Sequence, residues 1–278
     1  MKQGADCQTL IGRQAELRRL QEAIRKRESL LIWGPAGAGK TTLVAHALAG
    51  APEEISQHCF HVSAGGTLQE TLRELVRRLW EAGDTLIRKK FEADASAGGT
   101  IGKWVKAQTS LRLRGLLYRA AGEGRYWIFL DHAAPFSFAG ARLLRELIWM
   151  RKTPVFLLAR GRTENEIGKA IRWYWNDRQR LELGQLSLAA ARKLLEHSIE
   201  ACGLSRLDLT EFRDAVLQRS GLLPGAILKM CRLAAETSYQ SDRRIKTKLV
   251  YVDYLLSQHV WPAPTGSQPH HHGRRTPS

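Results

Sequence analysis

The stretch that decides the fold of this chain is Gly34-Pro35-Ala36-Gly37-Ala38-Gly39-Lys40-Thr41-Thr42. It matches the phosphate-binding pattern G-x-x-x-x-G-K-[ST], the P-loop or Walker A element. An apolar run at residues 30–33 precedes it as a buried strand would, and residues 42–48 follow it as a packed helix would. Strand, glycine-rich loop and helix in this order are the context that the pattern requires.

Each residue type in this loop has a chemical reason. The glycines let the backbone turn sharply and aim its N–H groups at an anion, and the helix that begins near Lys40 adds the positive end of its dipole. Lys40 can reach the β- and γ-phosphates of a nucleotide, and the Thr41 hydroxyl can bind Mg²⁺. We therefore predict that all nine residues bind the nucleotide. The alternative is a glycine-rich turn without a ligand.

The chain is strongly basic. Its 278 residues include 43 Lys and Arg against 27 Asp and Glu, which gives a net charge of +16. Such an excess favours polyanionic partners, nucleic acid first and an anionic membrane surface second, although scattered solvated arginines are an alternative. Residues 85–122 are especially basic, and they form either a phosphate-binding face or a solvated helix surface. The basic residues of this segment are Arg88, Lys89, Lys90, Lys103, Lys106, Arg112, Arg114 and Arg119.

Cysteine spacing and hydropathy predict a soluble cytoplasmic protein. The four cysteines, at positions 7, 59, 202 and 231, form no C-x-x-C pair, which argues against a zinc module or a disulfide framework. No apolar run approaches the roughly 18 residues of a membrane span. The first eight residues lack the apolar core of a signal peptide.

Two further apolar runs end in a charged residue. Residues 126–131 read as a buried strand that ends in Asp131, the form of a Walker B element. A carboxylate at the end of a parallel strand beside the P-loop strand can hold Mg²⁺. Residues 154–160 read as another strand, which ends in Arg160. One interpretation of Arg160 is a solvated arginine at a strand end.

A third motif lies upstream of the P-loop, Ile11-Gly12-Arg13-Gln14-Ala15-Glu16-Leu17. With the Walker A and B elements it resembles the AAA+ and STAND classes of P-loop ATPase, including their ORC-like and archaeal-ATPase-like members. The resemblance extends over about residues 11–258. It implies ATP or ADP as the ligand, Mg²⁺ on Thr41 and Asp131, and Ile11, Gly12 and Arg13 beside the base. It also implies that Arg160 detects the γ-phosphate, so that the catalytic residues are Lys40, Asp131 and Arg160.

Two features depart from the pattern of these families. They usually place a second acidic residue after the Walker B aspartate, and here that position is His132. A neutral imidazole can accept a proton near pH 7, so we expect ATP hydrolysis to be slow, and binding without hydrolysis is the alternative. In the segment that resembles the lid motif, two residues separate Gly221 from Pro224 and no arginine follows directly. This leaves Lys229 as the candidate cation of the lid.

These observations predict an α/β fold: a P-loop NTPase with a five-stranded parallel sheet flanked by helices, followed by an α-helical lid. We expect a nucleotide-binding domain at residues 1–185, a lid at 186–260 and a disordered tail at 261–278. Within them we predict a turn at 64–66, a loop at 95–99 between two helices and a helix at 164–172. Ser187 and Pro224 each begin a lid helix, and no strand is predicted after residue 185. The cluster Trp173-Tyr174-Trp175 is expected to pack in the core or at a domain interface, with base stacking as the alternative.

The resemblance and the charge together predict an ATPase that acts as a nucleotide-driven conformational switch and associates with DNA. Replication-initiator and transposition-helper ATPases are of this kind. The alternative is a STAND-like signalling or scaffold NTPase that binds ATP or ADP with little hydrolysis and acts on a protein partner. A small-molecule kinase is a third class, which the helical end of the chain disfavours. The oligomeric state stays open, and a homo-oligomer is compatible with either of the first two functions.

Overall fold

The computed structural model describes residues 10–63, 67–94, 99–133 and 138–258. Strands and helices alternate in the first part of the chain, and helices dominate the second. In chain order the elements are α1 (Gln14–Lys26), β1 (Leu30–Gly34), α2 (Lys40–Ala49), α3 (Glu53–Ser56), β2 (Cys59–Ser63), α4 (Leu68–Glu81), α5 (Thr85–Asp94), α6 (Ile101–Ala107), α7 (Ser110–Gly122), β3 (Trp127–Ala133), α8 (Phe138–Trp149), β4 (Val155–Arg160), α9 (Glu164–Ile167), β5 (Arg180–Glu182), α10 (Leu188–Ala201), α11 (Thr210–Arg219), α12 (Pro224–Ala235), β6 (Gln240–Ser241), β7 (Arg244–Ile245) and α13 (Thr247–Leu256).

The first five strands form one parallel sheet in the order β2-β3-β4-β1-β5. The P-loop strand β1 lies inside the sheet, where Leu31 is opposite Leu157 of β4 on one side and Arg180 of β5 on the other. Since all five strands run the same way, the carboxyl ends of β1, β3 and β4 meet at one edge, the usual place for a ligand in such sheets. The predicted fold class is confirmed.

Alternating side chains along the strands build a hydrophobic core on each face of the sheet. On one face Ile32 and Phe156 pack against α1 and α2, and the rings of Phe129 and Phe156 stack with centroids 4.4 Å apart. On the other face Leu31 and Leu157 pack against the helices from α4 to α8. Burial on both faces explains why these strands read as nearly continuous apolar runs.

The helices after residue 186 enclose a third hydrophobic cluster. Helix α10 begins as expected, because the Ala190 N–H donates to Ser187 Oγ at 3.2 Å, and α12 has Pro224 at its first position. Ile11, which precedes α1 in sequence, belongs to this cluster, so the residues just before α1 pack against the lid. The domain boundary between residues 185 and 186 stays our proposal.

The structure differs from the sequence-based expectation in three places. The basic segment forms three helices rather than two, because Gln108 is extended and the Thr109 hydroxyl caps a new helix. Residues 164–172 are helical as predicted, but only the first turn is α-helical and the rest continues as a 3₁₀ helix. Strands β6 and β7 form an antiparallel hairpin where no strand was expected, and Asp242 and Arg243 turn the chain with positive φ angles.

The aromatic cluster that follows is divided between core and surface. Trp173 and Tyr174 are buried, and the Tyr174 hydroxyl donates to the Val155 carbonyl at 3.1 Å. Trp175, in contrast, is 69% exposed. Core packing therefore holds for two of the three residues.

Several predictions fall outside the described residues: the turn at 64–66, most of the loop at 95–99 and the tail at 261–278. Within the described ranges, no helix combines the length and apolar character needed to cross a membrane. The three described cysteines, Cys59, Cys202 and Cys231, are all free thiols.

Candidate functional site

Strand alternation directs two charged side chains toward the start of α2. Asp131 is two residues from Phe129 along β3, and Arg160 is four residues from Phe156 along β4. Phe129 and Phe156 belong to the core on the α1–α2 face, so Asp131 and Arg160 point to that face as well. Helix α2 begins there with Lys40. The fold thus brings together the three residues predicted to be catalytic.

Asp131 is the buried acidic group of this site. Its side chain is only 6% exposed, and the Thr41 hydroxyl donates to its Oδ2 atom at 2.7 Å. The ring of His61, on the neighbouring edge strand β2, places Nε2 3.5 Å from the same oxygen. This approach of His61 to Asp131 is a contact that the sequence did not predict.

The residues present suit a magnesium ion. Mg²⁺ prefers oxygen ligands and is usually held by one or two side chains, together with substrate phosphates and water. The Thr41 hydroxyl and the Asp131 carboxylate supply two such oxygens at hydrogen-bond distance from each other. Among the described residues no group of three or more His, Cys, Asp or Glu could hold a metal ion.

Lys40 lies folded back on the loop that precedes it. Its Nζ donates to the carbonyl oxygens of Gly34 at 2.8 Å and Pro35 at 2.9 Å. The pKa of Lys40 is lowered from 10.5 to about 8, chiefly by burial and also by the nearby charge of Arg160, while the charge of Asp131 opposes the shift. Arg160 is opposite Gly34 in the sheet. Two cations held this close indicate a place for a strongly anionic ligand.

The lid contacts the P-loop directly. The Gly225 N–H, in the first turn of α12, donates to the Gly37 carbonyl at 2.8 Å. A Cβ atom on Gly225 would lie 2.7 Å from the Gly37 Cα, closer than real atoms approach. Gly37 itself has a φ of +78°, a conformation that glycine adopts without strain. The backbones of the lid and the P-loop are therefore in direct contact at Gly225 and Gly37.

A cavity of about 490 Å³ opens between the P-loop, the sheet edge and the lid. This volume is typical of ligand sites. The P-loop contributes residues 36–42, and the strand ends contribute Asp131 and Arg160. Gly34 and Pro35 are not among the described lining residues, and they act through the carbonyls that accept from Lys40.

The three residues of the motif at 11–13 occupy different surroundings. Ile11 and Arg13 line the cavity, whereas Gly12 is not among the described lining residues. A Cβ on Gly12 would lie 2.4 Å from that of Ala190, so this glycine permits the close approach of α10. The buried Arg13 side chain donates to the Gly184 carbonyl and to Glu16, which ties the motif to the segment before the lid.

Two lid side chains with nitrogen donors line the cavity, and neither was expected from the sequence. They are His197 of α10 and Arg232 of α12, whereas Lys229 is not among the described lining residues. Arg232 is seven residues from Gly225, so two helical turns place it on the side of α12 that touches the P-loop. The lid cation that lines the cavity is therefore Arg232 rather than Lys229.

Comparison with known proteins agrees with this geometry. A family model described as an AAA ATPase domain matches residues 9–158, more than half of the chain. The chain belongs to this AAA ATPase family. Membership implies nucleotide binding, typically with Mg²⁺. A search of curated proteins found no match.

Three solved structures share the fold of this AAA ATPase. A Walker-type ATPase of Pyrococcus abyssi is 14% identical with a TM-score of 0.57, over 90% of this chain and 72% of its own. The ORC1 protein of Aeropyrum pernix, solved in complex with DNA, is 18% identical with a TM-score of 0.60, over 90% of this chain and 66% of its own. Cdc6p from Pyrobaculum aerophilum is 10% identical with a TM-score of 0.52, over 80% of this chain and 61% of its own. The AAA ATPase thus spans somewhat less than two thirds of the ORC1 and Cdc6p chains, and at these identities the likeness concerns the fold alone.

Proposed function

We propose that this chain is an ATPase whose nucleotide cycle moves the helical lid, and that it works in association with DNA. The observation that carries the proposal is the cavity, because the P-loop, the strand ends with Asp131 and Arg160, and the lid all contribute to its wall. A ligand bound there touches both the sheet and the lid. Its gain or loss can therefore change how the two are placed.

Each residue has a proposed part in this chemistry. The Lys40 ammonium and the P-loop N–H groups bind the β- and γ-phosphates, and Arg160 donates to the γ-phosphate. Ile11 and the apolar residues of α10 that line the cavity hold the base. Thr41 and Asp131 would hold Mg²⁺, which when bound would neutralise charge on the transferred phosphoryl group.

Slow turnover is part of the proposal. Among the described residues that line the cavity, Asp131 is the only carboxylate, and Thr41 already donates to it. The next residue is His132, where the resembling families place a second acidic residue. The described cavity wall therefore offers no second carboxylate to orient the attacking water, and we expect a low basal rate that a partner raises.

DNA is the partner that the charge of the protein favours. The net charge is +16, and of the eight basic residues between 85 and 122 only Arg114 is partly covered, the other seven being exposed. Phosphate contacts from such side chains supply most of the affinity in non-specific DNA binding. One structure with the same fold, ORC1, was solved in complex with DNA.

The function is tested by measuring the ATP turnover of the full chain with and without DNA, over a range of salt concentrations. We expect a low basal rate that DNA raises several-fold, and a stimulation that fades as salt weakens phosphate contacts. A rate that is indifferent to DNA, from a chain that does not bind it, would refute the DNA association.

A protein partner is the second candidate function because α13 leaves an apolar face uncovered in the described part of the chain. Leu249, Val252 and Leu256 are each about half exposed and are spaced to lie on one side of this helix. This is the STAND-like alternative, in which the nucleotide-bound protein holds another protein. Salt-insensitive association with a protein, together with no response to DNA, would favour it.

Replacing Gly225 by alanine is expected to weaken ATP binding about tenfold. The added methyl group would lie against the Gly37 Cα, so the lid must shift away from the P-loop and the cavity must open. Titration calorimetry with ATP measures the loss. The matched control is Gly102→Ala in α6, where the added methyl group meets nothing within 4 Å. Equal affinities for the two variants would show that the glycine contact does not couple the lid to the nucleotide.

A further inference from the structure

Helices α7 and α8 carry a concentration of arginine on the side of the sheet opposite α1 and α2. Helix α7 has three arginines and no acidic residue, and α8 has two arginines and one glutamate. The two helices are joined where the Tyr118 hydroxyl donates to Glu146. We call the surface formed by Arg114, Tyr118, Arg142, Arg145 and Trp149 the α7–α8 surface.

The one glutamate does not neutralise this surface. Glu146 accepts from Arg142 Nε at 2.8 Å and from Tyr118. Arg114 lies over the Tyr118 ring, with its Cζ atom 6.0 Å from the ring centroid. Within the described residues neither Arg114 nor Arg145 forms an ion pair at 4.0 Å or less. Both guanidinium groups can therefore take a phosphate.

An exposed tryptophan lies beside these arginines. Trp149 is 59% exposed, and the Arg145 Cζ atom is 5.1 Å from its ring centroid. Positions 142, 145 and 149 are spaced by three and four residues, so they share one face of α8. The tryptophan and the arginines thus form a continuous strip along the helix.

We propose that the α7–α8 surface binds single-stranded DNA, with phosphates on Arg114 and Arg145 and a base stacked on Trp149. The proposal rests on the proposed association with DNA and adds the place and the form of the DNA. Cationic side chains that follow the backbone, next to an aromatic ring on which a base stacks, are the usual way to bind a single strand. A duplex offers its phosphates but hides the faces of its bases, and an acidic peptide satisfies the arginines but not the ring.

The position of α8 connects this surface to the nucleotide site. The helix lies between β3, which carries Asp131, and β4, which carries Arg160. Single-stranded DNA bound along α8 therefore contacts the helix that follows β3 and precedes β4 in the chain. Through α8, DNA bound at this surface could influence Asp131 and Arg160 and so raise the rate of ATP turnover.

The test is the binding of the full chain to a fluorescent oligothymidylate of about 20 nucleotides, measured by anisotropy over a range of salt concentrations. For Arg114→Gln/Arg145→Gln we expect binding at least about tenfold weaker, and a salt dependence shallower by about 1.4 on logarithmic axes, because two phosphate contacts are lost. Trp149→Ala should weaken binding about tenfold, and Trp149→Phe should restore most of it. The matched control is Arg18→Gln/Arg25→Gln on α1, which removes the same charge from exposed positions of that helix.

The outcomes separate this proposal from the function it rests on. If the α7–α8 variants bound DNA with wild-type affinity, the proposed role of this surface would be wrong, while the proposed association with DNA would still stand. No binding of any DNA by the wild-type chain would overturn both. Equal or tighter binding of the matched duplex, or preference for polyglutamate of the same charge, would also overturn the single-strand assignment. Equal thermal unfolding temperatures for all variants exclude misfolding as the cause of a loss.

Discussion

Replacing Lys40 by alanine is expected to weaken ATP binding by about 100-fold or more. The ammonium group is the cation best placed to reach the terminal phosphates, since it lies against the P-loop carbonyls of Gly34 and Pro35. A hydrogen bond to a charged group is worth about 1.5–3 kcal/mol, and Lys40 would make more than one. Titration calorimetry with ATP and Mg²⁺ measures the loss.

The pH dependence of ATP binding tests whether the Lys40 ammonium group contacts the phosphates. The pKa of Lys40 is lowered to about 8 in the free protein, and the phosphates of a bound nucleotide would raise it again. ATP binding therefore takes up a proton at and above about pH 8, and the affinity of the wild-type protein falls as the pH rises through this value. The residual binding of Lys40→Ala should not show this fall.

The same pKa shift has a consequence for stability. The unfolded chain holds the Lys40 proton with a pKa near 10.5, and the folded chain holds it with a pKa of about 8. Between these values the unfolded state binds more protons, so the contribution of Lys40 to the free energy of unfolding rises with pH. ATP binding has the opposite trend in this range, which separates an effect on the ligand from an effect on folding.

A matched control for Lys40→Ala is Lys89→Ala, which removes one charge from an exposed position of α5. It should leave both the affinity for ATP and its pH dependence unchanged. If Lys40→Ala bound ATP as tightly as the wild type, the P-loop would not be the nucleotide site. The proposal that this protein is an ATPase with its nucleotide at the P-loop would then be wrong.

The sheet and the P-loop could be predicted from the sequence because their signals are local. Residues 30–34 are buried on both faces of the sheet, and the glycines of the loop that follows adopt positive φ angles that other residues avoid. Asp131 and Arg160 were identified because a parallel sheet places the ends of its strands at one edge. These inferences need only the order of the elements and the direction of the strands.

The remaining parts of the site depend on how the lid approaches the sheet. His197 and Arg232 enter the cavity only because α10 and α12 are docked with particular sides inward. Lys229 is one turn from Gly225 and Arg232 is two turns from it, so only the docked helix could distinguish the two candidates. His61 reaches Asp131 because β2 pairs with β3, a neighbour relation that the sequence pattern leaves open.

Helix ends were predicted less well where a competing local interaction decides them. The break between α6 and α7 follows from Thr109, whose hydroxyl accepts from the Arg112 N–H and starts a new helix. The hairpin of β6 and β7 depends on positive φ angles at Asp242 and Arg243, and an arginine gives no sign of such a turn. In the first place one residue interrupts a longer helical pattern, and in the second two residues close a hairpin in the connection between two predicted helices.

Replacing Asp131 by asparagine is expected to reduce ATP turnover by about 100-fold or more while leaving metal-free nucleotide binding nearly unchanged. Asparagine has the same shape, and its amide oxygen can still accept from the Thr41 hydroxyl, so the site keeps its geometry. The substitution removes the negative charge of the carboxylate, and Mg²⁺ is usually bound through one or two carboxylates. Losses of this size are typical when one group that stabilises transition-state charge is removed.

The matched control is Asp177→Asn, the same substitution at a side chain that is 98% exposed. Turnover should be measured with ATP and with DNA present, while the Mg²⁺ concentration is varied. The wild-type protein and Asp177→Asn should respond to Mg²⁺ alike, whereas Asp131→Asn should respond only weakly. Because Asp131 is the one carboxylate among the described residues of the cavity wall, a full response in Asp131→Asn would require a ligand from outside that wall. The assignment of the metal to Thr41 and Asp131 would then be wrong, although the phosphate-binding role of the P-loop would still stand.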